Sequence, residues 1–268
     1  MKRFLLAFQF LTVIPIRKTM TFSEDDLGSS SSFFVLVGFF QGILLIASDY
    51  ILGRAFHPDL VTGLILLVYV LSNGGLHLDG LADTSDAVAA KSEDNKEADR
   101  QKRLSIMKDS NVGSFGVIAI VFALALKYLS LKSLSNLLPF TYYTSLLLMP
   151  MLPKWAIVIS MFYGKPSRES GLGKIFIDKT GLKEISISTI GLVLFIALIL
   201  ISPSRYMPHN QHLSYLIFLA LIYFYCRIMV FFFGRKFGGL NGDTLGAISE
   251  ITEIIFLLMV IAWSQLFT

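Results

Sequence analysis

Asp79, Asp83 and Asp86 stand in the run Gly74-Gly75-Leu76-His77-Leu78-Asp79-Gly80-Leu81-Ala82-Asp83-Thr84-Ser85-Asp86, at the spacing i, i+4, i+7. At 100° per residue this places the three carboxylates within about 60° of one another on one helix face. Carboxylates about 6–10 Å apart repel by roughly 2–3 kcal/mol per pair at an effective dielectric near 20. The stripe must therefore be protonated, strongly hydrated or bound to a cation. A second stripe lies downstream, where Asp243, Glu250 and Glu253 fall at i, i+7 and i+10 and cover about 80° of a helix face. Glu250 and Glu253 sit inside an otherwise apolar segment with no Lys or Arg beside them, so they need a partner from another helix. Mg²⁺ suits both stripes, because it prefers carboxylates and completes its shell with water or phosphate oxygens. The plainer alternatives are a hydrated helix end for the first stripe and a helix cap by Asn241 or Asp243 for the second.

Two further segments set glycine beside charge. Met107-Lys108-Asp109-Ser110-Asn111-Val112-Gly113 is one, and Gly171-Leu172-Gly173-Lys174 is the other; Gly242 directly precedes Asp243. Glycine lets a backbone N–H approach an anionic oxygen, and a helix N-terminus favours phosphate. Either segment alone reads equally well as a loop turn. His77, two residues before Asp79, is a candidate general base or a hydrogen-bonding group within a bundle. Lys127, Lys154 and Arg227 lie in or beside apolar runs and read as side chains snorkelling to an interface.

These groups belong to a chain that cannot be a soluble globule. Of its 268 residues 54% are hydrophobic and 16% charged, where soluble domains carry roughly 25% charged residues. Apolar stretches near the 20 residues of a transmembrane helix recur along it. The expected fold is all-α, a polytopic membrane helix bundle of seven spans near 33–52, 60–80, 113–131, 136–163, 185–202, 213–234 and 244–266, after an N-terminal amphipathic or re-entrant helix. Pro150 and Pro153 should kink or break the fourth span.

Basic residues concentrate in alternate connections. Lys2, Arg3, Arg17 and Lys18 precede the first span, six more lie within 91–108, five within 165–183, and Arg235 and Lys236 follow the sixth span. The intervening connections hold only Arg54, Lys132 and Arg205. Lys and Arg mark cytoplasmic loops, so the N-terminus and every motif above are expected on the cytoplasmic side. The chain reads as a single domain, 1–268, with 87–112 a helical cytoplasmic insertion. The net charge of +4 is no argument for nucleic acid. The lone Cys226 allows neither a disulfide framework nor a cysteine metal site.

The long motif around Asp79, Asp83 and Asp86, the Met107–Ser110 segment with Gly113, Gly171-Leu172-Gly173, and Gly242-Asp243-Thr244-Leu245-Gly246-Ala247 together resemble the cobalamin synthase family, the adenosylcobinamide-GDP ribazoletransferases. The motifs occur in the family's order over about residues 4–260. The resemblance implies a Mg²⁺-dependent enzyme of the prokaryotic plasma membrane, lying in the lipid bilayer, that joins adenosylcobinamide-GDP to α-ribazole or its 5′-phosphate and releases GMP. It implies Asp79, Asp83 and Asp86 as metal ligands, with Asp243, Glu250 and Glu253 completing the set. Asp79, Asp83 or His77 would take the hydroxyl proton. Lys108, Asp109, Ser110, Gly113, Gly171, Gly173, Lys174 and Gly242 would bind substrate. A homo-oligomer is left open. The chain departs from the family's pattern at Ala87, where glycine is common, and at Val35, where proline is expected.

Two other readings place acids in membrane helices. A lipid-modifying transferase acting on a diphosphate would carry a different Asp pattern after Asp79-Gly80, or paired Asp-rich motifs absent here. A cation transporter would need acids near the midplane and a path to the far side.

Overall fold

The computed structural model describes residues 1–15, 21–109, 111–201 and 211–267. They form helices α1 (Lys2–Leu11), α2 (Glu24–Ser29), α3 (Phe34–Leu52), α4 (Pro58–Ser72), α5 (Leu76–Ala89), α6 (Lys96–Ile106), α7 (Ser114–Leu134), α8 (Pro139–Tyr163), α9 (Leu172–Lys179), α10 (Leu182–Leu200), α11 (Gln211–Phe237) and α12 (Gly242–Phe267). A 3-10 turn over Ser30–Phe33 joins α2 to α3, and no strand occurs among the described residues. Six helical segments are long and apolar enough to cross a membrane, or seven if the bent pair α4–α5 is counted as one.

The bundle is built around α8. Met149, Met151, Ala156 and Val158 are fully buried, and Leu152, Ile157, Ile159 and Met161 nearly so. Pro150 and Pro153 lie inside α8 without breaking it. Gly38 and Gly42 of α3 let that helix lie directly on α8. A Cβ at Gly38 would stand 2.6 Å from the Pro150 carbonyl oxygen, and one at Gly42 would stand 2.6 Å from that of Leu147. This is the small-residue close packing typical of membrane helices. Outward faces carry Phe115, Ile118, Phe122, Leu194, Leu198, Phe224 and Phe231 in exposed positions, as a lipid-facing surface requires.

The expected second span, 60–80, is corrected. Helix α4 stops at Ser72, and α5 leaves it at 86°. Asn73, Gly74 and Gly75 make the corner. Gly74 and Gly75 have φ of 64° and 71°, a conformation that side chains with a Cβ disfavour. The Gly75 N–H donates to Asn73 Oδ1 at 3.0 Å. The acid-bearing helix therefore crosses the bundle end instead of continuing along it. Its far end is held by Arg103 of α6. That fully buried guanidinium donates to the carbonyls of Ala87 and Val88, to Ser92 Oγ at 3.0 Å, and to Asp99 Oδ2 at 2.9 Å. It thereby satisfies carbonyls that a helix C-terminus leaves unpaired.

Candidate functional site

Helices α5 and α12 meet through glycine. A Cβ at Gly80 would lie 2.7 Å from the carbonyl oxygen of Asp243, and one at Gly246 would lie 3.2–3.3 Å from backbone atoms of His77 and Gly80. The crossing places Asp79 and Asp243 in the wall of one cavity of about 180 Å³. Asp83 stands within electrostatic reach of Asp79, Asp243 and Asp86 and of the Arg168 guanidinium. Asp79 is exposed, while Asp83 and Asp243 are partly buried.

The capping alternative for Asp243 resolves to its neighbour. Thr244 N–H donates to Asn241 Oδ1 at 2.9 Å and Asn241 N–H to Thr244 Oγ1 at 2.8 Å, a reciprocal cap of the capping-box kind. Asn241 caps α12, and the Asp243 carboxylate is left to face Arg168, which donates to its Oδ2 at 2.9 Å. Sequence reading missed Arg168. Its signal is position, three residues before Gly171-Leu172-Gly173. Arg168, Gly171, Gly173, Lys174, Gly242 and Asp243 line a second small cavity, of about 130 Å³. Lys174 is ion-paired to Asp178 one turn on. Gly171, at φ 109°, caps α9, and Gly173 lies against the Gly242 amide.

Asp86 occupies a different position from its two partners. Its Oδ2 accepts from the Gly113 N–H at 2.7 Å and its Oδ1 from the Gly116 N–H at 2.9 Å. A Cβ at either glycine would come within 2.5 Å of this carboxylate. The anion received by those amides is thus one of the protein's own, at the N-terminus of α7, where a negative charge is favoured. Lys108 and Asp109 lie exposed in the segment before α7. Asp109 accepts from Asn111 N–H and Nδ2–H at 3.0 and 2.8 Å. Ser110 lies outside the described residues.

For Glu250 and Glu253, expected to complete a metal set, the structure supplies another partner. Lys127 of α7 bridges both carboxylates, at 2.5 Å to Glu250 Oε2 and in close contact with Glu253. Tyr69 O–H donates to Glu253 Oε1 at 2.6 Å. These acids sit about 12 and 17 Å along α12 from its start at 1.5 Å per residue, about two and three turns past the Asp243 crossing. Lys127 and Lys154 do not snorkel; they are 1% and 0% exposed. Lys154 lies within electrostatic reach of both glutamates, and its Nζ makes no hydrogen bond. Two buried carboxylates facing two amines form the kind of pairing that buried charge demands.

Among the described residues no three His, Cys, Asp or Glu side chains converge tightly enough to cage an ion unaided. The donors of this cluster nevertheless fit Mg²⁺. Asp79, Asp83 and Asp243 offer only oxygen, they are partly exposed, and Mg²⁺ is commonly held by one or two carboxylates together with water and substrate phosphates.

The fold and this cluster define a polytopic membrane protein with a carboxylate and guanidinium site at one end of its helix bundle. The sequence profile of the cobalamin-5-phosphate synthase family matches residues 3–261. A protein of Thermodesulfovibrio yellowstonii named adenosylcobinamide-GDP ribazoletransferase is 38% identical over 96% of this chain and 94% of its own length. Proteins of the same name from Geotalea daltonii and Caldanaerobacter subterraneus are 34% and 35% identical, over 98% and 95% of this chain and 98% and 96% of theirs. The chain belongs to the cobalamin-5-phosphate synthase family. No solved structure matches it.

Proposed function

We propose that this protein is an adenosylcobinamide-GDP ribazoletransferase. It joins adenosylcobinamide-GDP to α-ribazole, or to α-ribazole 5′-phosphate, and releases GMP. The observation that carries the reading is the crossing at Gly80 and Gly246, which sets Asp79 and Asp83 of one helix beside Asp243 and Arg168. Such a site can hold a diphosphate between carboxylate-bound cation and guanidinium while an alcohol attacks it.

In the reaction the ribose 3′-hydroxyl oxygen forms a bond to the phosphorus carrying the cobinamide arm. The P–O bond to GMP breaks, and the hydroxyl proton is lost. Asp79 or Asp83 receives that proton, since Asp79 lines the cavity where the hydroxyl would lie and Asp83 follows it one turn along the same helix. Arg168 serves the phosphate oxygens as a fork-shaped donor, released from Asp243 as substrate enters. Lys174 neutralises the departing phosphate from the adjoining small cavity. Asp79, Asp83 and Asp243 would hold Mg²⁺, which when bound neutralises diphosphate charge and stabilises the leaving oxygen. Glu250 and Glu253 act further in, as the paired charges that set α7 against α12. Asp86 fixes the start of α7, and with it the Lys108 segment. The crowding of Lys and Arg at this end supports a site facing the cytoplasm of a prokaryotic cell.

The test is turnover by detergent-purified protein given adenosylcobinamide-GDP and α-ribazole, with and without Mg²⁺, following GMP and the cobalamin product by mass spectrometry. Mg²⁺-dependent product is expected from the wild type and a loss of at least about 100-fold from Asp83→Asn, as for removal of one electrostatic group from a phosphoryl-transfer site. Folded wild-type protein that forms no product with any divalent metal would overturn the reading.

A further inference from the structure

We propose that the cavity beside Asp79 and Asp243 is the pocket for the aromatic base of the acceptor nucleoside, and that the N-terminal helix supplies part of its wall. The proposal rests on the transferase reading and names where one of its two substrates is held.

The cavity has a volume of about 180 Å³, below the roughly 300 Å³ at which ordinary ligand pockets begin. It admits a flat ring system and excludes a corrin or a nucleoside diphosphate. Phe10 of α1, Phe34 of α3 and Phe176 of α9 form one wall. Their ring centroids lie 4.7, 5.4 and 6.0 Å apart in mixed stacked and tilted arrangements, which suit a further ring placed against them. Ile157 and Met161, one turn apart on α8, also line the cavity. A charged diphosphate in such surroundings would be desolvated without compensation, so the occupant is an apolar ring and the phosphates remain outside.

Two polar features distinguish this pocket from a slot for a lipid chain. His77 lines it, is 3% exposed, and has no hydrogen-bond partner at Nδ1. An imidazole in the lining gives the pocket a polar group of its own, which a heteroaromatic base can use. Asp79 and Asp243 line the same cavity. A base seated among the phenylalanines therefore delivers its ribose to the carboxylates, where the hydroxyl must react. An acyl chain would use neither feature.

The test uses the intact purified enzyme. The KM for α-ribazole is measured at saturating adenosylcobinamide-GDP and Mg²⁺, and the KM for adenosylcobinamide-GDP at saturating α-ribazole. Ile157→Phe, which fills the pocket, and Phe176→Ala, which opens it, are compared with the wild type, with thermal unfolding as the check on folding. Each should raise the KM for α-ribazole at least about tenfold, the scale on which a hydrophobic pocket reads one or a few methylenes, and leave the KM for adenosylcobinamide-GDP within about twofold. Equilibrium dialysis of α-ribazole alone should show the same loss of affinity without turnover. Unchanged KM values in a folded variant, or equal rises for both substrates, would overturn the pocket and leave the transferase reading standing. So would a co-purified phospholipid that Ile157→Phe expels while the α-ribazole KM stays put. A wild type that releases no GMP would remove both.

Discussion

The backbone of Gly80 rests on the backbone of Asp243: a Cβ added at Gly80 would come 2.7 Å from the Asp243 carbonyl oxygen and 3.0 Å from its Cα. No rotamer change relieves a collision with main chain. Gly80→Val should therefore push α5 off α12 and spread the carboxylates. Activity should fall by at least about 100-fold, the scale on which a 1 Å misplacement acts, in protein that still elutes from detergent as a folded species. Gly191→Val is the control, because a Cβ there meets nothing within 4 Å; it should leave activity unchanged.

Lys127 joins two buried carboxylates across the α7–α12 interface. Lys127→Met strands both of them, and removing one partner of a buried pair costs roughly 3–5 kcal/mol. A large fall in the detergent melting temperature is expected. Glu250→Gln should lower that temperature less and leave the Mg²⁺ concentration for half-maximal activity unchanged. A tenfold rise in that concentration would instead return Glu250 to the metal site.

Asp86 holds the first turn of α7 through two backbone amides. Asp86→Ala leaves those N–H groups without an acceptor, and charged hydrogen bonds contribute about 1.5–3 kcal/mol each. Hydrogen exchange at Gly113 and Gly116 should accelerate while the amides of α12 keep their protection. Unchanged exchange at the two glycines would show that the carboxylate is engaged elsewhere.

The α5–α6 link has a defined pH response. The hydrogen bond from Arg103 holds the Asp99 carboxyl below the usual aspartate range. A depressed folded value contributes stability that is complete above the unfolded pKa, about 3.9, and is lost as pH falls through the lower folded one. Protection of the α6 amides, corrected for intrinsic exchange, should stay level from pH 8 to pH 5. A progressive loss beginning near pH 6 would show another group in control.

Much of this protein was legible in its sequence because hydrophobic length and residue spacing are local properties. Five of the seven expected spans match α7, α8, α10, α11 and α12 to within a few residues. The first matches α3, whose helical path is led in by α2. The second span failed at its end, although Asn73-Gly74-Gly75 carried a turn signal; hydropathy continues through a corner that backbone conformation makes. Gly38 and Gly42, four residues apart, also carry a close-packing signal in the sequence.

The partners of the charged residues were not readable. Lys127 and Glu250 are 123 positions apart, Asp86 and Gly116 30, and Arg168 and Asp243 75. Sequence alone determined that six acids would lie on two helical faces in an apolar chain, because helix geometry fixes which residues share a face. Only the tertiary structure decided how those acids divide. Asp79 and Asp243 line a cavity with Asp83 in electrostatic reach of both, Asp86 ties down α7, and Glu250 and Glu253 neutralise buried lysine. The reason is that a carboxylate in a low-dielectric bundle is committed by whichever donor or cation the packing of other helices brings within reach.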